Sequence, residues 1–352
     1  MLPYYVYILI LFICIFVEEN TNGVKAKDRV FKCALAPYFI LMAFKCSDIG
    51  SDTRDYFASF SLMADCDFSH FLSFNEMGYE RIEKGYKLLI WLLSRITPDA
   101  QILLLVTAII SSMALYYYIK ETASNRSLAL FFFITLGFFQ FAMSGIRQTI
   151  AISITLFGYR YLKDRNLVKL VTITIVAMLF HKSAIFFTPM FYVAGIKLNS
   201  KNITLSMIGM LVLYFGAERL LFTAADVLDY NYGIEETGNG FIFFAIVLLI
   251  TILSLNSRRE LLLARPLNKI IININIISLA IWTLRLMSRT AERVSLYFMP
   301  YSYIALEQYL STRKKGNKYV FILVAFVLCS FLCLRRLSRD DDFNTFHFFF
   351  SI

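Results

Sequence analysis

Arg147, His181 and the group Arg285, Arg289 and Arg293 sit at the ends of long apolar runs. A cation among so many Phe, Leu and Ile side chains is costly in lipid, so it is expected to face a protein cavity or an interface. The three later arginines recur every four residues. A continuous helix would align them on one face, about 6 Å apart along its axis. There they repel one another unless an anion or Glu292 lies between them. A guanidinium offers planar, bidentate bonds to phosphate oxygens. Gly145 permits close backbone approach, and a helix opening at Ile146 adds N–H donors and positive dipole. The collection suits a diphosphate, with Arg147, Arg285, Arg289 and Arg293 as its ligands. Preplaced cations would stabilise the leaving group. Asp52, Glu83 or His181 would then take the proton from an attacking hydroxyl. Each group also has a blander reading. An arginine at a helix end snorkels to headgroups, an interfacial histidine tolerates either protonation state, and anionic headgroups satisfy clustered arginines.

The elements that must position these groups belong to a membrane protein. Apolar residues make up 58% of the 352 positions and charged residues 17%, against about 25% charge in soluble domains. Lipid must therefore solvate most of this surface. The net charge of +10 is spread over short loops rather than gathered on one face, which argues for a membrane surface and against nucleic acid. The expected fold is all-α and polytopic, one membrane domain over 1–352. It has about twelve spans at 2–17, 30–45, 100–119, 127–143, 146–162, 166–180, 184–196, 203–217, 240–256, 268–287, 293–310 and 318–334. Residues 84–97 are too short and too polar at their ends to cross, and are expected to form a half-buried interfacial helix within a loop over 46–99. The first run has no Lys or Arg before it and no small-x-small site after it, so it is expected to remain as a span.

Lys and Arg in the short loops set the orientation. Placing Lys25, Lys27, Arg29 and Lys32, Lys120 and Arg126, Arg160, Lys163 and Arg165, Lys197 and Lys201, Arg258, Arg259 and Arg265, and Arg313, Lys314, Lys315 and Lys318 inside gives an N-out, C-out chain. Arg147, His181, the later arginines, Asp52 and Glu83 then all fall at the outer face. So does the acidic, aromatic loop 217–239. The six cysteines form no metal pattern, so no metal or cofactor is expected; Cys46 and Cys66 share a loop and could pair if it lies outside the cytoplasm.

Four blocks resemble the EpsG family of Wzy-type bacterial polysaccharide polymerases. KCSDIGSDTRDY (45–56) is similar to the family's R…G-x-D…Y block, with Gly50, Asp52 and Tyr56 matching and Lys45 standing where the family usually has Arg. EKGYKLL (83–89) resembles its E-x-G-Y entry, GIRQTIAISITLFGYRYLKDR (145–165) its I-R-Q-x-I-A block, and AMLFHKSAIFFTPMF (177–191) its F-H-x-S-A block. The resemblance implies a GT-C-like membrane glycosyltransferase that joins oligosaccharide units carried on undecaprenyl diphosphate. It would act at the outer leaflet of the bacterial inner membrane, making O-antigen, capsule or exopolysaccharide. It also implies a flippase and a chain-length regulator as partners. Arg147 would bind diphosphate, His181 would transfer a proton or bond phosphate, and Asp52 or Glu83 would serve as base or sugar ligand. Tyr56, Tyr86, Tyr230 and Tyr232 would contact glycan. A glycan ligase shares the cationic site. A flippase would instead place charges along a path through the membrane, and an acyltransferase would need a donor entrance on the cytoplasmic side.

Overall fold

The structure is a computed structural model that describes residues 1–67, 82–216, 240–287 and 290–351. Its described residues are helical apart from turns, loops and one isolated antiparallel bridge between Lys45 and Phe348. The chain divides into two compact units. The first comprises Met1–Phe157, Ile175–Lys182 and Ile322–Ile352; the second comprises Gly158–Thr174 and Ser183–Phe321.

In the first unit, helix α1 (Leu2–Asn20) opens on Pro3, whose missing N–H costs nothing in a first turn. It packs beside α2 (Val24–Phe44), which in turn lies along α5 (Gln101–Thr122). Between them in sequence come α3 (Thr53–Ala64) and α4 (Lys84–Ser94). Helix α4 buries Tyr86, Lys87, Ile90 and Leu93 and exposes Leu88 and Leu92. Its 11 residues reach only about 16 Å, half of a hydrocarbon core. A short helix thus forms within the stretch 84–97 and ends three residues before its expected limit.

The apolar run 127–143 is not one straight helix. It divides into α6 (Arg126–Thr135) and α7 (Phe138–Ser144), bent by 58°. The bend falls at Gly137, whose φ of +105° lies in the left-handed region that favours glycine. The chain then breaks at Gly145 before α8 (Ile146–Phe157). A second junction ties α1 to α6. The buried Glu18 carboxylate accepts the backbone N–H groups of Arg126 (3.1 Å) and Ser127 (2.8 Å) and the Ser127 hydroxyl (2.6 Å). A helix N-terminus is where a buried carboxylate is best satisfied.

In the second unit, Asn268–Arg285 packs against Phe241–Asn256 and Met299–Ser311. Its buried asparagines are bonded rather than wasted: Asn275 donates to Thr251 (3.0 Å) and Asn273 to the Ile196 carbonyl (2.8 Å). Residues 184–196 are not the continuous span expected. A 3₁₀ turn at Lys182–Phe187 is followed by one short helix, Met190–Val193, with Pro189 at the break. Likewise 293–310 is interrupted between Thr290–Ser295 and Met299–Ser311.

This is a membrane protein by its apolar helices. Among the described residues, Leu2–Asn20, Gln101–Thr122 and Gly316–Arg339 are each long and apolar enough to cross a bilayer. Two bent pairs, α6 with α7 and Phe241–Asn256 with Arg258–Ala264, raise the number to as many as five.

Candidate functional site

The site stands on the loop that follows α2. Just past the end of that helix the Lys45 side chain is wholly buried; its Nζ donates to the Ile49 carbonyl (2.5 Å) and to Thr53 Oγ1 (2.7 Å). Burial pushes its ammonium down to about 7, and nearby Asp48 opposes the shift. Thr53 Oγ1 lies 2.8 Å from the Ile49 carbonyl and 3.3 Å from that of Met143. Gly50, at φ +91°, touches the same strip of chain: a Cβ there would lie 2.6 Å from the Met143 carbonyl oxygen. Lys45 and Gly50 therefore seat the loop against the break between α7 and α8. Lys45 is a buried fastening, not an open anion ligand.

Arg147, the second residue of α8, is held by Glu83 and Tyr56. Its Nη1 donates to Glu83 Oε2 at 2.6 Å, and its guanidinium lies 6.0 Å from the centre of the Tyr56 ring. Tyr56 meets Tyr86 edge-on at 5.7 Å. The other Glu83 oxygen accepts the Lys182 backbone N–H at 3.1 Å. The Tyr86 N–H reaches the Leu179 carbonyl at 3.2 Å. This approach needs Gly85, because a Cβ there would come within 2.6 Å of the Leu179 side chain. The four sequence blocks thus meet at one place in the first unit. Each contributes something there: a loop and Tyr56, then Glu83 with Tyr86, then Arg147, then the turn after Leu179.

The geometry separates the two carboxylates. Glu83 is 8% exposed as a side chain and has both oxygens engaged. As placed, it orients Arg147 rather than standing ready as a base. Asp52 is half-exposed at the start of α3 and accepts only a 3.3 Å bond from the Ser51 hydroxyl. It is the open carboxylate of the pair. The Arg147 side chain keeps 26% exposure, and its Nε is buried with no hydrogen-bond partner among the described residues. A cation so held has lost its conformational freedom before any ligand arrives, which lowers the cost of binding one.

His181 is buried one residue before the Lys182 amide that holds Glu83, and its own N–H bonds the Ala177 carbonyl at 3.0 Å. Arg285 and Arg293 belong to the second unit. Arg285 is buried and its Nε donates to Glu292 at 2.7 Å. Arg293 is exposed. Arg289, Tyr230, Tyr232 and the loop 217–239 lie outside the described residues. Cys46 and Cys66 are not joined in a disulfide, and the Cys66 thiol donates to the Leu62 carbonyl. The Lys182 amide was not legible beforehand, since any residue can donate a backbone N–H.

The EpsG family model matches residues 28–349, a stretch that includes all four blocks. No curated protein and no solved structure matches the chain.

Proposed function

The chain belongs to the EpsG family, and we propose that this polysaccharide-biosynthesis membrane protein is a repeat-unit polymerase. It joins oligosaccharides carried on undecaprenyl diphosphate at the outer leaflet of the bacterial inner membrane. On this reading the twelve-span, GT-C-like architecture presents the site to the periplasm or cell exterior. The observation that carries the reading is Arg147, half-open at the first turn of α8 and braced by Glu83 and Tyr56.

A guanidinium held in place by a carboxylate behind it meets a diphosphate with its geometry preset. It neutralises charge that grows on the leaving group as the glycosidic bond forms. Asp52 is the better base for the acceptor hydroxyl, because Glu83 is committed to Arg147. His181 supports proton transfer or phosphate bonding. Tyr56 and Tyr86, with Tyr230 and Tyr232 from the acidic loop, are proposed glycan contacts. Arg285, Arg289 and Arg293 are proposed as further diphosphate ligands on their chemistry alone. A flippase would deliver the lipid-linked unit, and a chain-length regulator would set the length of the product.

The test is glycan length in cells lacking the gene, complemented with wild type or Arg147→Ala. Single repeat units at the surface, extended only by wild type, are the expected result. Units trapped on the cytoplasmic side would instead indicate a flippase. Normal-length polymer missing only its final acceptor would indicate a ligase.

A further inference from the structure

The C-terminal tail returns across the loop that seats the site. Beyond the helix Lys315–Arg339, the tail pairs Phe348 with Lys45 in the lone β-bridge. The Cys46 N–H donates to the His347 carbonyl at 3.2 Å, and the Gly50 N–H to the Asp342 carbonyl at 3.3 Å. This backbone pairing brings three side chains together that lie at opposite ends of the sequence. Cys46 Sγ, an Asp48 carboxylate oxygen and a His347 ring nitrogen all lie within 4.8 Å of one another. His347 Nε2 sits 2.9 Å from Asp48 Oδ2, while Asp48 Oδ1 is buried with no hydrogen-bond partner among the described residues. Cys46 is 7% exposed. Next to the trio is a cavity of about 190 Å³ lined by Asp48, Ser51, Arg54, Asp341, Asp342 and Thr345.

We propose that Cys46, Asp48 and His347 bind one thiophilic divalent cation, Zn²⁺ by preference, which clamps the C-terminal tail to the loop 45–53. A thiolate, an imidazole nitrogen and a carboxylate oxygen are a zinc donor set, and water from the adjoining cavity completes a tetrahedron. Binding releases the thiol proton and any proton on His347 to solvent, and the His347–Asp48 hydrogen bond gives way to two metal bonds. Thiolate and carboxylate together offset the charge of the ion. Asp341 and Asp342 across the cavity add to that balance, while Lys45 and Arg54 oppose it. Asp48 Oδ1 explains the preference for a metal over a plain histidine–aspartate pair: the pair leaves this buried oxygen unsatisfied, and a cation gives it a partner. The clamp is distinct from the Arg147 cluster, although the loop it holds leads directly into α3 and Tyr56.

The experiment uses the full-length protein in detergent with any affinity tag removed. It is stripped with a chelator and then titrated with Zn²⁺ or Co²⁺. One Zn²⁺ per chain is expected, together with a higher melting temperature and, for Co²⁺, a thiolate-to-metal charge-transfer band. Cys46→Ser should abolish the band, and both it and His347→Ala should weaken Zn²⁺ binding by about a hundredfold or more, beyond the usual effect of losing an outer-sphere partner. Cys66→Ser, the other thiol of the same sequence region, should leave both unchanged. The metal-free melting temperatures of wild type and Cys46→Ser should coincide, which separates a lost ligand from a lost fold; His347→Ala also loses the His347–Asp48 bond and is judged on metal affinity alone. Substoichiometric binding by wild type would overturn the proposal, as would a band and affinity that survive in both ligand variants. Because metal content is read without any glycan assay, this result stands apart from the fate of the polymerase reading.

Discussion

At the scale of single residues, Arg147 and its brace are separable by mutation. Arg147→Lys keeps the charge and loses the fork, since an ammonium cannot face Glu83 and hold two phosphate oxygens with the same planar geometry. Polymer formation should fall on the order of a hundredfold, the scale of losing one preorganised donor, with membrane insertion unchanged. A Lys variant as active as wild type would remove the phosphate clamp. Glu83 and Asp52 make a sharper pair. Glu83→Gln retains one oxygen, which can accept from the Lys182 N–H or from Arg147, and turns an NH2 donor toward the other. It should raise the donor KM more than it lowers kcat. Asp52→Asn removes the open carboxylate of the pair and should eliminate turnover with little effect on donor binding. If Glu83→Gln abolishes kcat and Asp52→Asn does not, the two roles exchange.

Elements carry the next set of constraints, because the site exists only where helices end. The contact between α4 and the turn after the helix Leu167–Met178 depends on a missing side chain at Gly85. Gly85→Ala would force its methyl against Leu179 at 2.6 Å. It should cost about 1–3 kcal/mol in overpacking and move Glu83 off Arg147, so elongation should fall even though every charged group is retained. Elongation at wild-type level would show that α4 is free to shift. Glu18 tests a junction remote from the site. Its carboxylate caps α6 with two backbone N–H bonds, and Glu18→Ala would leave those donors buried and unmet. A loss of about 2–3 kcal/mol follows from hydrogen bonds to a charged group, read as a lower melting temperature in detergent. An unchanged melting point would mean that water replaces the carboxylate. Much of this level was legible in the sequence. Apolar runs marked the helices, and the short amphipathic stretch at 84–97 marked α4. The break at Leu136–Gly137 was not marked, because a single glycine inside an apolar run looks the same whether or not it takes a left-handed φ. Nor was the cysteine–aspartate–histidine trio, since its histidine approaches only through a tail pairing that no local spacing encodes.

On the scale of the whole molecule, the remaining question is which side of the membrane the site faces, and one unit contains both ends of the answer. At one end Asp28 gathers Lys32 (3.0 Å), Lys120 (3.5 Å) and Arg126 (3.6 Å), where α2 begins, α5 ends and α6 begins. At the other, α2 ends beside Lys45, α5 begins, and the Gln101 amide donates to the Ala43 carbonyl at 2.7 Å. The 21 residues of α2 separate these ends by about 31 Å, which is close to the thickness of a hydrocarbon core. Positive charge favours the cytoplasmic side, so the basic end should face inward and the loop carrying Ser51 and Asp52 outward. In cells, Ser51→Cys should react with a membrane-impermeant maleimide while Lys27→Cys reacts only after permeabilisation, each in a background with Cys33 replaced. Arg258→Ala, in a basic loop of the other unit, should leave polymer length unchanged and serve as the control for insertion. Labelling of Lys27→Cys from outside, with Ser51→Cys protected, would invert the protein. A lipid-linked donor would then have to be used before it is flipped, and the outer-leaflet polymerase would give way to a cytoplasmic-face reaction.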